Sequence, residues 1–397
     1  MRSEAIGGRG TGAWRALLPC LVSCAAMLGC ASSPQAAGAD AAAAPTSRFK
    51  DPDDGRFDVS GFLDTAYGFV PLLVPITEPA VGYGAVGAAV FIHGDPPEPS
   101  AEFVRPTMSA VGALRTENGT RGWFGGNLGT WWDGRLRTIA ALGDVDLNLE
   151  FFGFGGDRVS DGLGYSVKAK GGVLGGTYRL GRTQLWLGVR YASVATNVTL
   201  DAPLNDLPNV APVDYDLRLA GLTPSLTLDR RDNFFTPTRG LYVDLSLPTY
   251  RDSYGSDRDF ETANLTTMYF RPLGESLYFS VRGSAKDSSD GTPFYLRPYV
   301  ALRGVQALQY QGEQAAEIEA EVRWQLGARY SVVGFAGAGE ARGSLGARER
   351  SENVTAGGAG FRYLVARRYG MQMGIDVADG PDDTVLYVVF GNAWLRP

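Results

Sequence analysis

The sequence predicts an all-β protein, a transmembrane antiparallel β-barrel of about 16 strands over residues 57–397. Three observations lead there. An export signal is followed by no apolar helical span, side chains alternate with period two over long runs, and connections alternate between long and short.

At the N-terminus, Arg2, Arg9 and Arg15 accompany an apolar run from Ala16 to Gly29. This is the layout of a signal peptide, with a hydrophobic stretch too short to cross a bilayer as a helix, and residues 1–30 are assigned to it. Cys24 follows Leu21-Val22-Ser23, the small-residue pattern of a lipoprotein cleavage site, whereas Cys30 follows Met27-Leu28-Gly29 and leaves the better apolar length. Either cysteine is a candidate for lipidation, and ordinary cleavage without a lipid is the third option. Because Cys20, Cys24 and Cys30 are the only cysteines, the barrel region has no disulfide, thiolate metal site or thiol nucleophile. Loss of residues 1–23 removes three Arg and one Glu, taking the net charge from −6 to about −8 and excluding a basic nucleic-acid-binding face. Residues 31–56, rich in Ala, Ser and Pro and then polar, are expected to form a disordered leader.

The rest of the chain reads as strands. Leu241, Val243, Leu245 and Leu247 interleave with Tyr242, Asp244 and Ser246, so one face is apolar and the other polar. The same pattern recurs in Val145, Leu147, Leu149 and Phe151 against Asp144, Asp146, Asn148 and Glu150, and in Leu277, Phe279 and Val281 against Tyr278, Ser280 and Arg282. A soluble sandwich also alternates, but its strands average about five or six residues. These runs are nearer ten, the length a tilted strand needs to cross hydrocarbon, with apolar residues toward lipid and polar ones toward a lumen. The 53 glycines suit that crowded interior. Aromatics at run ends (Trp123, Trp131, Trp132, Tyr191, Tyr250 and Trp394) suit the interfacial girdles.

Connections near 151–164, 199–214, 251–259, 288–313, 340–354 and 378–383 are long and polar, whereas those near 181–184, 272–276, 326–329 and 365–368 are tight. Counting back from the last strand places the first near 57–69.

Three stretches carry a resemblance. The run Asp229-Arg230-Arg231-Asp232-Asn233-Phe234-Phe235-Thr236-Pro237-Thr238-Arg239-Gly240 holds a Pro–Gly turn before a strong strand. Leu302-Arg303-Gly304 is followed by Gly312 and by Glu319-Ala320-Glu321-Val322-Arg323-Trp324. At the C-terminus Leu386, Val388, Phe390 and Trp394 share a face, with Gly391 between. Together with Val74-Pro75-Ile76-Thr77-Glu78-Pro79 and Gly82-Tyr83-Gly84, the chain over 66–394 resembles the BamA/TamA-type outer-membrane proteins, also called bacterial surface antigens.

The resemblance implies a periplasmic turn at Asp229, Arg231, Asp232, Pro237, Arg239 and Gly240, and a last-strand assembly signal at Phe390, Gly391 and Trp394. It also implies that the loop carrying Arg303 and Gly304 folds into the lumen, where Arg303 pairs with Glu321 on the next strand. Val305 stands where the family has an aromatic, and Gly337 stands where it has a second acid, with Glu340 as a substitute. A single acceptor would hold the loop less firmly. Family members that insert or secrete proteins carry periplasmic POTRA domains, and the 26 to 33 mature residues ahead of the barrel are too few for one.

Other chemistry is weakly supported. Gly82-Tyr83-Gly84-Ala85-Val86-Gly87 matches a dinucleotide fingerprint but precedes no helix. His93, the only histidine, reads as a solvated turn residue, and no Gly-x-Ser-x-Gly elbow exists. Asp144 and Asp146 read as a polar lumen wall, and Asp379, Asp382 and Asp383 as an exposed acidic loop. The sequence therefore predicts a non-enzymatic, monomeric barrel without metal or cofactor in the outer membrane of a Gram-negative bacterium. Its expected partners are membrane lipid and barrel assembly machinery or a separate periplasmic protein. Assembly or transport is the expected role, and a passive pore or surface barrel the alternative.

Overall fold

The computed structural model describes residues 49–65, 68–93, 107–152, 163–200, 214–345 and 348–394. The signal assignment with Cys24 and Cys30, and leader residues 31–48, lie outside them. Among the described residues seventeen strands form one antiparallel meander. The first eight are β1 (Gly68–Ile76), β2 (Gly84–His93), β3 (Thr107–Thr116), β4 (Arg121–Trp131), β5 (Leu136–Phe151), β6 (Leu163–Arg179), β7 (Leu185–Leu200) and β8 (Asp214–Asp229). The rest are β9 (Gly240–Ser246), β10 (Thr249–Tyr250), β11 (Phe260–Pro272), β12 (Leu277–Ser288), β13 (Gln314–Gln325), β14 (Tyr330–Leu345), β15 (Arg348–Ala366), β16 (Met371–Asp379) and β17 (Thr384–Phe390).

β9 and β10 are one wall strand. Both lie between β8 and β11 in an unshifted register, since Ser246 and Thr249 face Ser225 and Leu222 on one side and Asn264 and Glu261 on the other. Pro248, which has no N–H to give the ladder, interrupts it. Among the described residues the wall thus has sixteen strands.

Successive strands are laced by ladders from β1 through to β17. Between β17 and β1 the described residues form no such ladder. The two edges meet where the Val388 N–H donates to Thr77 Oγ1 at 3.4 Å. This is a seam in the wall.

Residues 57–69 do not begin with a strand. They hold a short helix, α1 (Ser60–Thr65), and β1 starts at Gly68. The expected long loop at 340–354 is absent too, because β14 and β15 pair from Tyr330–Tyr363 up to Leu345–Arg348. Continuous ladder bonds there outcompete a loop whose residues read as polar.

The wall's outside is apolar, with Phe69, Leu73, Leu142, Leu174, Val189, Ile318 and Trp324 all exposed. Trp123, Trp131, Trp132 and Tyr191 lie on this surface as expected of a girdle. Tyr250 and Trp394 do not. Tyr250 stacks on buried Phe260 at 4.2 Å, and Trp394 is buried.

One stretch of alternation is reversed relative to expectation. Along β5, Leu142 faces out, and so do Asp144, Asp146, Asn148 and Glu150, whereas Val145, Leu147, Leu149 and Phe151 are buried inside. The cause is length. β5 to β8 run 16 or 17 residues, beyond the roughly 9–11 that span hydrocarbon. Their far ends present charge to water outside, with Arg121–Asp146 and Lys170–Asp144 pairs, and pack apolar side chains inward on loop residues Tyr295, Leu296 and Leu308. Asp144 and Asp146 therefore do not line the lumen.

Candidate functional site: two caged arginines

The connection between β12 and β13 (289–313) folds inward, burying Val300, Leu302, Val305 and Leu308. Its tip turns at Gly304 (φ 90°), where a Cβ would lie 3.1 Å from the Asp379 carbonyl. A Cβ on Gly380 would in turn strike the Gly304 oxygen, so the two glycines allow the tip to touch the β16–β17 turn. Gly304 N–H donates to the Tyr387 hydroxyl on β17 at 3.1 Å, and Ala307 N–H donates to Glu78 Oε1 beyond β1 at 3.2 Å. The tip therefore holds both sides of the seam.

Arg303 sits at the centre, its side chain 9% exposed. It donates to Glu319 Oε1 through Nε (2.9 Å) and Nη2 (2.6 Å), and its own N–H reaches Glu319 Oε2 at 3.2 Å. Nη1 lies 2.8 Å from both Asp376 Oδ2 on β16 and Glu321 Oε2. The Glu321 contact is an ion pair only, because that oxygen falls off the hydrogen-bonding direction. Phe335 stacks under the guanidinium at 3.6 Å. Asp376 in turn accepts from Arg362, with Nη2–Oδ2 at 2.9 Å.

Three sequence expectations change here. The main acceptor is Glu319 rather than Glu321. The second acid, missing at 337, comes from Asp376, while Leu302 takes the space over Gly337, with its Cδ2 2.7 Å from where a Cβ would stand. Glu340 instead pairs with Arg342 at 2.8 Å. The cage has three carboxylates, so the single-acceptor, looser loop is not what forms.

The other two motifs converge on the same column. In the 230–239 turn, Asp232 accepts from the Thr238 and Arg239 N–H groups (2.9 and 3.1 Å), and Arg231 grips Asp229 with two bonds of 2.8 and 2.7 Å. Pro237 leads toward Gly240, whose φ of 127° and 2.1 Å approach of a Cβ to the Arg230 oxygen admit only glycine. The turn is not simply tight. Phe235 is buried among Val70, Ile92, Met108, Val365 and Met371, closing the tight-turn end of the lumen. Its carbonyl accepts from Asn392 N–H at 2.6 Å.

The C-terminal residues do not share one strand face. β17 ends at Phe390, Gly391 (φ 69°) turns the chain, and Trp394 enters the lumen to donate from Nε1 to Glu319 Oε1 at 2.5 Å. Glu319 thus receives the loop from one end and the tail from the other.

A second cage lies at the tight-turn rim. Arg329, between β13 and β14, is fully buried against Asp51, Asp54 (Nε–Oδ2 2.7 Å) and Asp58 (Nη1–Oδ2 2.6 Å). Residues 49–56 are consequently held against the barrel and are not part of a loose leader. Acids spaced along a tight turn with Gly55 at φ 68° converge on one cation. The hydrogen bond from Arg329 holds the Asp54 carboxyl below the usual carboxylate range. Burial pushes Asp58 up, but hydrogen bonds from Ser60, the Arg367 N–H and Arg329 outweigh it and leave the group lowered. Arg329 is stabilised as a cation by the same acids, against the effect of burial.

His93 Nε2 lies 2.8 Å from Ser109 Oγ on the outer face, and Asn127 Nδ2 donates to that same oxygen at 3.0 Å. Among the described residues no carboxylate orients the ring. Asp382 is engaged by Gln309, and Asp379 accepts from Thr384 Oγ1 at 3.0 Å.

Neither a family model nor any curated protein matches this chain. Solved structures do. BamA from Haemophilus ducreyi lacking POTRA domains 1–3 superposes with a TM-score of 0.54 at 9% identity, covering 87% of this chain and 80% of that one. CdiB from Escherichia coli gives 0.53 at 12% identity, covering 81% of this chain. CdiB from Acinetobacter baumannii gives the same score, identity and coverage. This chain spans 61% and 58% of those CdiB chains. At such identities the likeness establishes the architecture: an all-β barrel wall like those of BamA and CdiB.

Proposed function

We propose that this protein is a BamA/TamA-like barrel of the Gram-negative outer membrane that acts, without enzymatic chemistry, in assembly or transport of outer-membrane proteins. The observation that carries the reading is the loop tip, which reaches Tyr387 on one side of the seam and Glu78 on the other while Arg303 anchors it in the lumen. An edge with unpaired N–H and C=O groups is a template for a further strand. With the loop docked, both edges are held. With it released, β1 and β17 are free to part. The lumen gate and the seam are then one device, and its partners are a client strand, surrounding lipid and, in the cell, assembly machinery or a periplasmic protein.

A passive pore is the weaker reading, because the loop, Phe235 and Trp394 all occupy the lumen. The test pairs planar-bilayer conductance with insertion of an unfolded outer-membrane client into vesicles bearing the protein. Low conductance with accelerated client insertion supports the proposal. A steady open conductance without insertion establishes the pore, and neither signal indicates a structural surface barrel.

A further inference from the structure

The outer face of β13 to β16 has a dent where its neighbours bulge. Across these strands Val322, Gly334, Ala359 and Val377 stand side by side, and the next rung is Trp324, Val332, Phe361 and Ile375. Gly334 and Ala359 contribute almost no side chain between larger residues on either flank. The resulting shallow groove, about 780 Å³, is lined by apolar groups and open along its outer side. A Cβ on Gly334 would meet nothing within 4 Å, so the space above it is open.

The groove has a charged end. The Phe361 ring on its wall lies 5.9 Å from Tyr330, and the Arg56 guanidinium lies 5.4 Å over the Tyr330 ring. The guanidinium is exposed, and besides this ring it has the Asp54 carboxylate near it. Arg56 is fixed there by its neighbours, since Asp54 is bound to Arg329 and the Phe57 carbonyl accepts from Tyr363 OH at 2.7 Å. Exposed Phe49 and Phe57 flank it at the tight-turn rim, where the apolar wall ends.

We propose that this groove binds one phospholipid with an anionic headgroup, an acyl chain lying over Gly334 and Ala359 and the phosphate at Arg56. The proposal rests on the membrane-barrel reading above. Here a chain would lie over Gly334 and Ala359 with larger side chains on both flanks. The exposed Arg56 cation at the level of the headgroups favours a net negative lipid over a zwitterionic one. The N-terminal segment, held by its aspartates, thereby supplies the headgroup contact for a slot built by the wall.

Native mass spectrometry of the full chain, released from micelles with equal amounts of phosphatidylglycerol and phosphatidylcholine, tests this. The wild type should retain one phosphatidylglycerol with a preference of about five-fold, the worth of one charge contact. Gly334→Leu should lose the retained lipid of either kind, and Arg56→Gln should keep lipid but lose the preference. Undiminished lipid on Gly334→Leu, or an unchanged preference in Arg56→Gln, overturns the proposal. So does a two-chain species that Gly334→Leu converts to one, which would make the face a contact between copies. Insertion into vesicles, read by heat-modifiable migration, is scored separately. Failure there removes the membrane reading, whereas normal insertion with an unaltered lipid count removes the groove alone.

Discussion

Arg303 and Arg329 are each ringed by three carboxylates, yet the cages are built in opposite senses. In the lumen, the cation rides on a connection and the acids belong to the wall, on β13 and β16. At the rim, the cation belongs to a wall turn and the acids ride on the N-terminal segment. Asp376 and Glu319 are 0% and 2% exposed and also serve Arg362 and Trp394, so they belong to a network. The rim aspartates mostly cap their own turn. A fixed wall of acids selects which loop conformation can enter, while a fixed cation gathers whatever flexible acids reach it. The first arrangement suits a gate and the second a tether.

The sharpest way to break the contrast is to remove each cation. Arg303→Ala leaves the buried Glu319 carboxylate without its counter-ion and should cost about 3–5 kcal/mol of loop docking. Protease cutting within 289–313 and bilayer conductance should both rise while heat-modifiable migration is kept. A variant indistinguishable from wild type in both would show that the cage does not hold the loop. Arg329→Ala should cost less, roughly 1.5–3 kcal/mol, because solvent lies close to the rim. Its signature is protease cutting in 49–62 with unchanged conductance. A conductance change would mean the two cages are coupled.

Smaller substitutions sharpen the picture. Glu319→Gln should loosen the loop more than Glu321→Gln, by about 1 kcal/mol, since of these two only Glu319 makes directed bonds to Arg303. Equal effects would restore Glu321 as the main partner. Mild acid should do least. Asp54 and Asp58 have folded values below the ordinary 3.8, so their contribution is complete above that pH and is lost as the pH falls through the lowered values. The 49–62 segment should stay protected from a broad-pH protease down to about pH 4 and be released only below it. Release at pH 5–6 would contradict the lowered carboxylates.

Much of this was legible in the sequence because strand periodicity is local. The strand count, the position of the tight turns and the Arg-Gly tip follow from alternation and motif. Glu317, Glu319 and Glu321 at two-residue spacing already place three acids on one face, but spacing does not say which one meets Arg303. Asp376 was invisible because its contact with Arg303 spans 73 positions. The rim cage was hidden for a different reason. Residues 49–58 have the composition of a loose segment, and their order comes from a single buried cation some 275 positions away. The reversed faces of β5 escaped because period two fixes alternation and leaves open where along a strand the bilayer stops.

Trp394 has a consequence for the order of events in folding. Its indole bonds to the same Glu319 oxygen that accepts from Arg303, and it arrives there only after β17 is laid down and Gly391 has turned the chain. Glu319 therefore reports on two distant parts of the polypeptide at once, and neither contact alone gives it a full set of donors. A chain still lacking β17 and the turn after it would leave one of the four hydrogen bonds to Glu319 unmade and lose the Tyr387 contact to the loop tip, exposing the loop to proteases. The turn after β17 thus helps lock the loop, and a truncation after Phe390 should show it as heightened cleavage in 289–313.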